Sequence, residues 1–211
     1  MNLDRLFQAG AGIAIAGVIW CLWPQTAGGY YSPYRWAAPA YRHGPVVLID
    51  RGHWNESAAD PHFDALTRVL TGDGYRVSTS RQEFVPELLQ TASVLVVSDP
   101  LGFTGWLDRF GLHVRGNAFQ HDEIESVREW VRAGGSLLLV ADRPPAVQAA
   151  GPLASALGVP IADETMREVG RGRVAVVTAQ LADIHNRTFD ARSIMLGIVH
   201  WLSRVDLASQ P

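Results

Sequence analysis

The chain has 211 residues, 47% of them hydrophobic and 18% charged, which is enough to bury one sizeable core and leave a short appendage. A net charge of −3, a pI near 6.1, a complete lack of lysine and scattered arginines exclude the basic footprint of a nucleic-acid-binding protein. A single cysteine, Cys21, excludes an intramolecular disulfide framework.

Residues 6–23 read LFQAGAGIAIAGVIWCLW, apolar except for Gln8, with Asp4 and Arg5 before and Pro24 behind. As a helix this run would extend ~27 Å, a little under the thickness of a bilayer core. A cleaved signal peptide is the rival reading, with Thr26-Ala27-Gly28 as the nearest small-residue site. That site is mediocre, and Trp20, Trp23, Tyr30 and Tyr31 form an aromatic belt, which favours an uncleaved anchor. The expectation is a single-pass protein of a bacterial inner membrane, anchored by residues 6–23, with its carboxyl-terminal domain outside the cytoplasm. Cys21 lies within the span as a small apolar residue, and Trp20 before it makes it a poor lipidation site.

Residues 1–23 are thus the anchor and residues 24–44, rich in Pro, Gly and aromatics without a period, an irregular tether. The globular domain occupies residues 45–211. Val46 to Asp50 is a first apolar strand; Asp60-Pro61 opens a helix with Phe63, Leu66, Val69 and Leu70 inward. Tyr75 to Ser80 is a second strand, Phe84 to Gln90 a short helix, and Ser93 to Asp99 a third strand. Residues 100–118 form a connection longer than α/β units need, holding Phe103, Trp106, Phe110 and His113; it is either a packed surface loop or a lid or partner surface.

Next comes a helix with Ile124, Val127, Trp130 and Val131 on one side. Gly134-Gly135 ends it in left-handed conformations, and Ser136 to Ala141 follows as a strand buried on both faces. Ala146 to Leu157 is helical, Arg173 to Ala179 is a strand that follows a small hairpin around Gly170 to Gly172, and Ala191 to Val205 is the last helix. Its inward positions are Ile194, Met195, Ile198, Val199 and Leu202. This alternation predicts an α/β fold: a doubly wound, mostly parallel, flavodoxin-like sheet with helices on both faces, preceded by one amino-terminal transmembrane helix.

In such a sheet ligands meet the chain beyond the carboxyl ends of the strands. Three strands end there in acids, Asp50, Asp99 and Asp142, and flavodoxin-type order makes their strands neighbours. Close carboxylates need neutralising, by a divalent metal ion or by Arg51 or Arg143; alternatively each caps a helix or bonds loop amides. The segment Asp50-Arg51-Gly52-His53-Trp54-Asn55-Glu56 is dense in polar side chains. Gly52 allows a sharp turn, His53 could be ligand or base, and Asn55 and Glu56 could hold a substrate or the loop itself. His185-Asn186, after Gln180, stands at the same end; His62, His113, His121 and His200 have weaker cases, the last packing beside Trp201. The turn Ala141-Asp142-Arg143-Pro144 carries no Ser or Cys nucleophile. The chain also lacks a P-loop, a dinucleotide fingerprint and Cys/His zinc spacing.

The succession VVLIDRGHWN (46–55), GYRV (74–77), SVLVVSDPL (93–101), EIESVREWVRAGGSLLLVADRPP (123–145), LASALGV (153–159) and the closing His200-Trp201-Leu202 resembles the class I glutamine amidotransferase-like superfamily. Within it the chain is most similar to membrane-anchored domains of unknown function related to gliding-motility and transport-associated envelope proteins. Active members use a cysteine on the strand-to-helix elbow with a histidine and a glutamate. Here the elbow carries Asp142, so glutaminase chemistry is not expected. The resemblance implies a non-catalytic module binding a small ligand or another envelope protein through Asp50, His53, Asn55, Asp99, Asp142 and Arg143, without a cofactor. The alternative is a metal-assisted hydrolase: Asp50, Asp99 and Asp142 hold a divalent ion, His53 or His185 acts as base, and Arg143 steadies the developing anion.

Overall fold

The structure, a computed structural model, describes residues 44–55, 61–102, 117–141, 144–161, 165–177 and 189–205, with the side chains of 61–64 and 189–192 excepted. The expected anchor, the expected tether up to residue 43, the expected cap Asp60, and residues 103–116 lie outside the described residues. Among those described, no helix is long and apolar enough to cross a membrane.

Eleven described elements build the fold around a six-stranded sheet. In chain order β1 (Val46–Asp50), α1 (Pro61–Gly72), β2 (Arg76–Ser80), α2 (Pro86–Leu89) and β3 (Val94–Ser98) come first. Then follow α3 (His121–Ala133), β4 (Ser136–Val140), α4 (Ala146–Ala156), β5 (Thr165–Val169), β6 (Gly172–Val177) and α5 (Phe189–Ser203). The strands lie in the order β2-β1-β3-β4-β6-β5. All neighbours pair in parallel except β5 with β6, a hairpin turning at Gly170 with Val169 opposite Gly172. As expected, β1, β3 and β4 are consecutive across the sheet, so their carboxyl ends share one edge.

Alternation along each strand divides the core between the two faces. Val47, Ile49, Val94, Val96, Leu138 and Val140 pack with Leu66, Val69 and Leu70 of α1 and Met195, Val199 and Leu202 of α5. Leu48, Leu95, Val97, Leu137 and Leu139 pack on the other side with Leu89, Val127, Val131, Leu153 and Ala154 from α2, α3 and α4. Both faces of the central strands are therefore covered, which is why β4 reads as five consecutive buried residues. The inward face of α5 differs from expectation at one position: Ile194 is exposed and Leu196 is buried in its place. Along α3, Val127 and Val131 are fully buried while Ile124 and Trp130 cover the core's margin.

The glycine pair after α3 divides its duties. Gly134, at φ +125°, supplies the conformation that ends the helix, and its N–H donates to Val131. Gly135 is needed for space, since a Cβ there would stand 2.2 Å from the Trp130 ring.

At the amino-terminal edge of the sheet the end of α5 is pinned by polar contacts. Ser136 Oγ donates to the Leu202 carbonyl at 2.8 Å and Arg173 Nη1 to that of Trp201 at 2.6 Å, with the guanidinium 5.0 Å from the Trp201 ring centre. A cation beside the last carbonyls also opposes the helix dipole. His200 is buried, as its packing role requires, and its Nε2 pairs with the buried Asp73 carboxylate just beyond α1. Tyr75 and Ser203 share a 2.8 Å hydroxyl bond alongside. Burial pushes the Tyr75 hydroxyl pKa up, with the Asp73 charge adding to it against the Ser203 bond, so that hydroxyl keeps its proton.

Candidate functional site

The carboxyl end of β1 delivers Asp50 into a position 1% exposed, and the chain then bends at once. Gly52 N–H donates to Asp50 Oδ1 at 2.9 Å, closing an Asx-type turn. Gly52 is fixed by proximity rather than by an unusual φ: a Cβ there would lie 2.9 Å from the Arg81 carbonyl oxygen, on the loop after β2. The turn carries His53 back over the carboxylate, and His53 Nδ1 lies 2.9 Å from both Asp50 oxygens. Its Nε2 reaches Glu123 Oε1 at 2.8 Å, on the first turn of α3. Phe84 and Phe119 flank the imidazole at ring separations of 4.5 and 4.8 Å.

Each carboxylate is further satisfied. Asn55 Nδ2 donates to Asp50 Oδ2 at 3.1 Å and to the Ser98 carbonyl at 2.9 Å, while Asn55 Oδ1 accepts from His53 N–H. Glu123 Oε1 also accepts from the Phe84 amide at 3.0 Å, and Oε2 from the Gln120 amide at 2.9 Å, half of a capping box at the start of α3. The His53 carbonyl accepts from the amides of Leu101 and Gly102, joining the loops that follow β1 and β3.

Burial disfavours a charged imidazole and is the largest single influence on His53. The hydrogen bonds it donates to Asp50 and Glu123 and their charges together outweigh it, and the pKa is raised from 6.5 to about 9. Glu123 moves the opposite way: burial would raise its pKa, but the bond to His53, the two backbone amides and the imidazolium charge lower it. At neutral pH the cluster is therefore a buried imidazolium between two carboxylates. Both ring nitrogens then act as donors, leaving His53 no lone pair with which to accept a proton or bind a metal.

Of the six expected ligand-binding residues, the structure brings Asp50, His53 and Asn55 into one bonded group. Asp99 follows β3 at the same edge, half-buried, with its amide donating to the Val140 carbonyl and φ +44°. Asp142, Arg143, Glu56, His185 and Asn186 lie outside the described residues, as do His113 and the side chain of His62; His121 stands exposed at the start of α3. Among the described residues no group of three or more His, Cys, Asp or Glu side chains is placed to hold a metal ion. Asp50, the first expected metal ligand, has both oxygens engaged by Gly52, His53 and Asn55.

Sequence reasoning passed over Glu123, Phe84 and Phe119. Glu123 sits 70 positions from His53, and no spacing rule joins them; the one local signal was a Gln-x-x-Glu pattern ahead of an apolar helix.

No family model matches the chain, and no curated protein matches it. Among solved structures it is similar to the exo-β-1,4-mannosidase Op5Man5 from Opitutaceae bacterium strain TAV5, at 13% identity and a TM-score of 0.45, over 75% of this chain. The chain spans about a third of that protein (36%), and so loose a likeness carries neither fold nor function across.

Proposed function

We propose that residues 45–211 form a non-catalytic binding module with a degenerate amidotransferase-like pocket, held at the outer face of a bacterial inner membrane by residues 6–23. It takes a small ligand or another envelope protein at the carboxyl ends of β1, β3 and β4. One observation carries this reading: the histidine best placed for chemistry is buried with both ring nitrogens bonded to carboxylates. Such a group stiffens the loops around it instead of turning over a substrate. The apolar run at 6–23 supports the membrane setting, because tethering raises the local concentration of any partner in the same membrane. A metal-assisted hydrolase would need Asp50 to release three donors and His53 to lose a proton that two carboxylates retain.

The test is co-purification of the full chain from its own membranes, set against a chain lacking residues 1–28. The partners held by the full chain should be lost from the truncated one. Retention of every partner removes the assembly reading. Hydrolytic turnover by the purified full chain that Asp50→Asn abolishes overturns the non-catalytic one.

A further inference from the structure

Arginines far apart in the sequence meet where the strands begin. Arg132 lies in the last turn of α3, Arg171 in the turn between β5 and β6, Arg173 in the first residues of β6, and Arg204 just past α5. Backbone contacts draw them to one corner of the sheet. The Arg171 amide donates to the Arg132 carbonyl at 3.0 Å, and a Cβ on Gly170 would stand 2.9 Å from the Arg132 Cα. The Arg204 guanidinium donates to the Arg171 carbonyl. Arg173 is engaged within the fold by Glu168 and by the carbonyl and ring of Trp201. Arg132, Arg171 and Arg204 are exposed, and among the described residues no partner engages the guanidinium of Arg132 or Arg171. A cation at each helix end opposes the dipole of α3 or α5, which accounts for Arg132 and Arg204. Arg171 then adds a third like charge, at a cost in mutual repulsion. Glu129, one turn back on α3, offsets part of it. A chain of net charge −3, with Asp50, Asp99 and Glu123 at the opposite end of its sheet, thus presents one positive corner.

We infer that the corner formed by Arg132, Arg171 and Arg204 is a docking surface for the headgroup phosphates of an anionic phospholipid bilayer. This rests on the membrane setting of the binding-module reading and names the surface by which the domain meets that membrane. The chain enters the domain at the same end of the sheet, where Gly44 precedes β1 and its carbonyl accepts from Arg76 Nε at 3.0 Å. Residues 24–43 separate that entry from the proposed span, and fully extended they reach no further than ~70 Å. Confinement of that kind keeps even weak headgroup contacts populated. Arginine suits the partner, because its planar fork donates paired hydrogen bonds to phosphate oxygens and each basic residue adds to the attraction of an anionic surface. A small free anion matches less well, since it is best held by enclosed donors and these three residues are all exposed. Docking by this corner turns the carboxyl ends of β1, β3 and β4, with the candidate site, away from the bilayer.

The test reconstitutes the full chain into vesicles of phosphatidylcholine alone and of equal parts phosphatidylcholine and phosphatidylglycerol. Arginines are modified with phenylglyoxal, and the rate at each residue is read by mass spectrometry. Arg132 and Arg171 should react about threefold or more slowly in the anionic vesicles, and salt at about 1 M, where the Debye length is ~3 Å, should abolish the difference. Arg81, exposed on the loop after β2 at the far end of the sheet, should keep one rate in both. Arg171→Gln alters an exposed side chain, so it should keep the parent's melting temperature while lessening the slowing at Arg132. Equal rates for Arg132 and Arg171 in the two kinds of vesicle overturn the inference, as does an equal slowing of Arg81. The same slowing in neutral vesicles on adding glycerol phosphate assigns the corner to a free anion and also overturns it. Alkaline carbonate extraction separates the two failures. A chain that stays embedded with equal rates loses only the docking corner, whereas one stripped from both vesicles loses the membrane setting and the corner with it.

Discussion

His53 is held charged by its neighbours, and the consequence is a stability that depends on pH in a definite direction. Its folded pKa lies near 9 against 6.5 unfolded, so its contribution is complete below 6.5 and disappears as pH climbs through about 9. That rise corresponds to roughly 3 kcal/mol. Glu123, with a lowered pKa, contributes above its ordinary 4.5 and loses that contribution as pH falls through its folded value. The cluster is therefore most stabilising in weakly acidic solution. Replacing Glu123 by Gln removes one of the two charges that keep His53 protonated, and the alkaline fall in melting temperature should begin at lower pH than in the parent. Thermal melts between about pH 6 and 10 read this directly; superimposable curves would show that the cluster is not ionic. Glu123→Ala, which leaves the imidazolium and the Phe84 amide short of an acceptor, should cost on the order of 3–5 kcal/mol.

At the level of elements, α3, the two glycines and β4 form one packed unit in which the helix reaches the sheet through Val127 and Val131. A methyl group on Gly135 would enter the Trp130 ring plane, so Gly135→Ala should destabilise by about 1–3 kcal/mol through displacement of that ring. Chemical denaturation of the variant measures it, and a Gly135→Ala/Trp130→Leu double variant should recover part of the loss. These elements were legible beforehand because strands buried on both faces must be apolar nearly throughout, as in Leu137 to Val140, and helices must show one apolar stripe. Strand β5 was hardly legible: Thr165 to Val169 is an edge strand with its middle three residues exposed, so its sequence TMREV has no reason to look apolar. Ile194 misled because a helical stripe fixes which residues share a side, not how wide the contact with the sheet is. In the site, Asp50, His53 and Asn55 could be singled out since they crowd the first strand's end within six positions. Their bonding to Glu123 and the enclosure by Phe84 and Phe119 depend on three separate segments meeting, which no local pattern encodes.

Across the whole domain, polar burial is divided between the two ends of one sheet. The amino-terminal end holds Asp73–His200, Tyr75–Ser203 and the ties from Ser136 and Arg173 to the last turn of α5. The carboxyl-terminal end holds the Asp50–His53–Glu123 cluster and the strained pair Trp54 and Asp99. The first set closes the fold by fastening its last helix, and the positive φ beside it, Arg204 at +57°, is the ordinary left-handed stop of that helix. The second set fastens loops that carry strain, an expense that stability alone does not explain. The two ends should therefore respond differently to equivalent damage. Asp73→Asn removes the charge facing His200 and should lower the melting temperature through loss of a charge-assisted buried bond, ~1–3 kcal/mol, while leaving ligand or partner binding at the far end unchanged once the protein is folded. Glu123→Gln, a loss of comparable chemistry, should lower both, because the loop holding Trp54 depends on His53 staying in place. Melting temperature and binding measured side by side on the two variants separate these outcomes: equal binding losses in both would mean that the strand-end loops draw their order from the domain as a whole and not from the cluster beneath them.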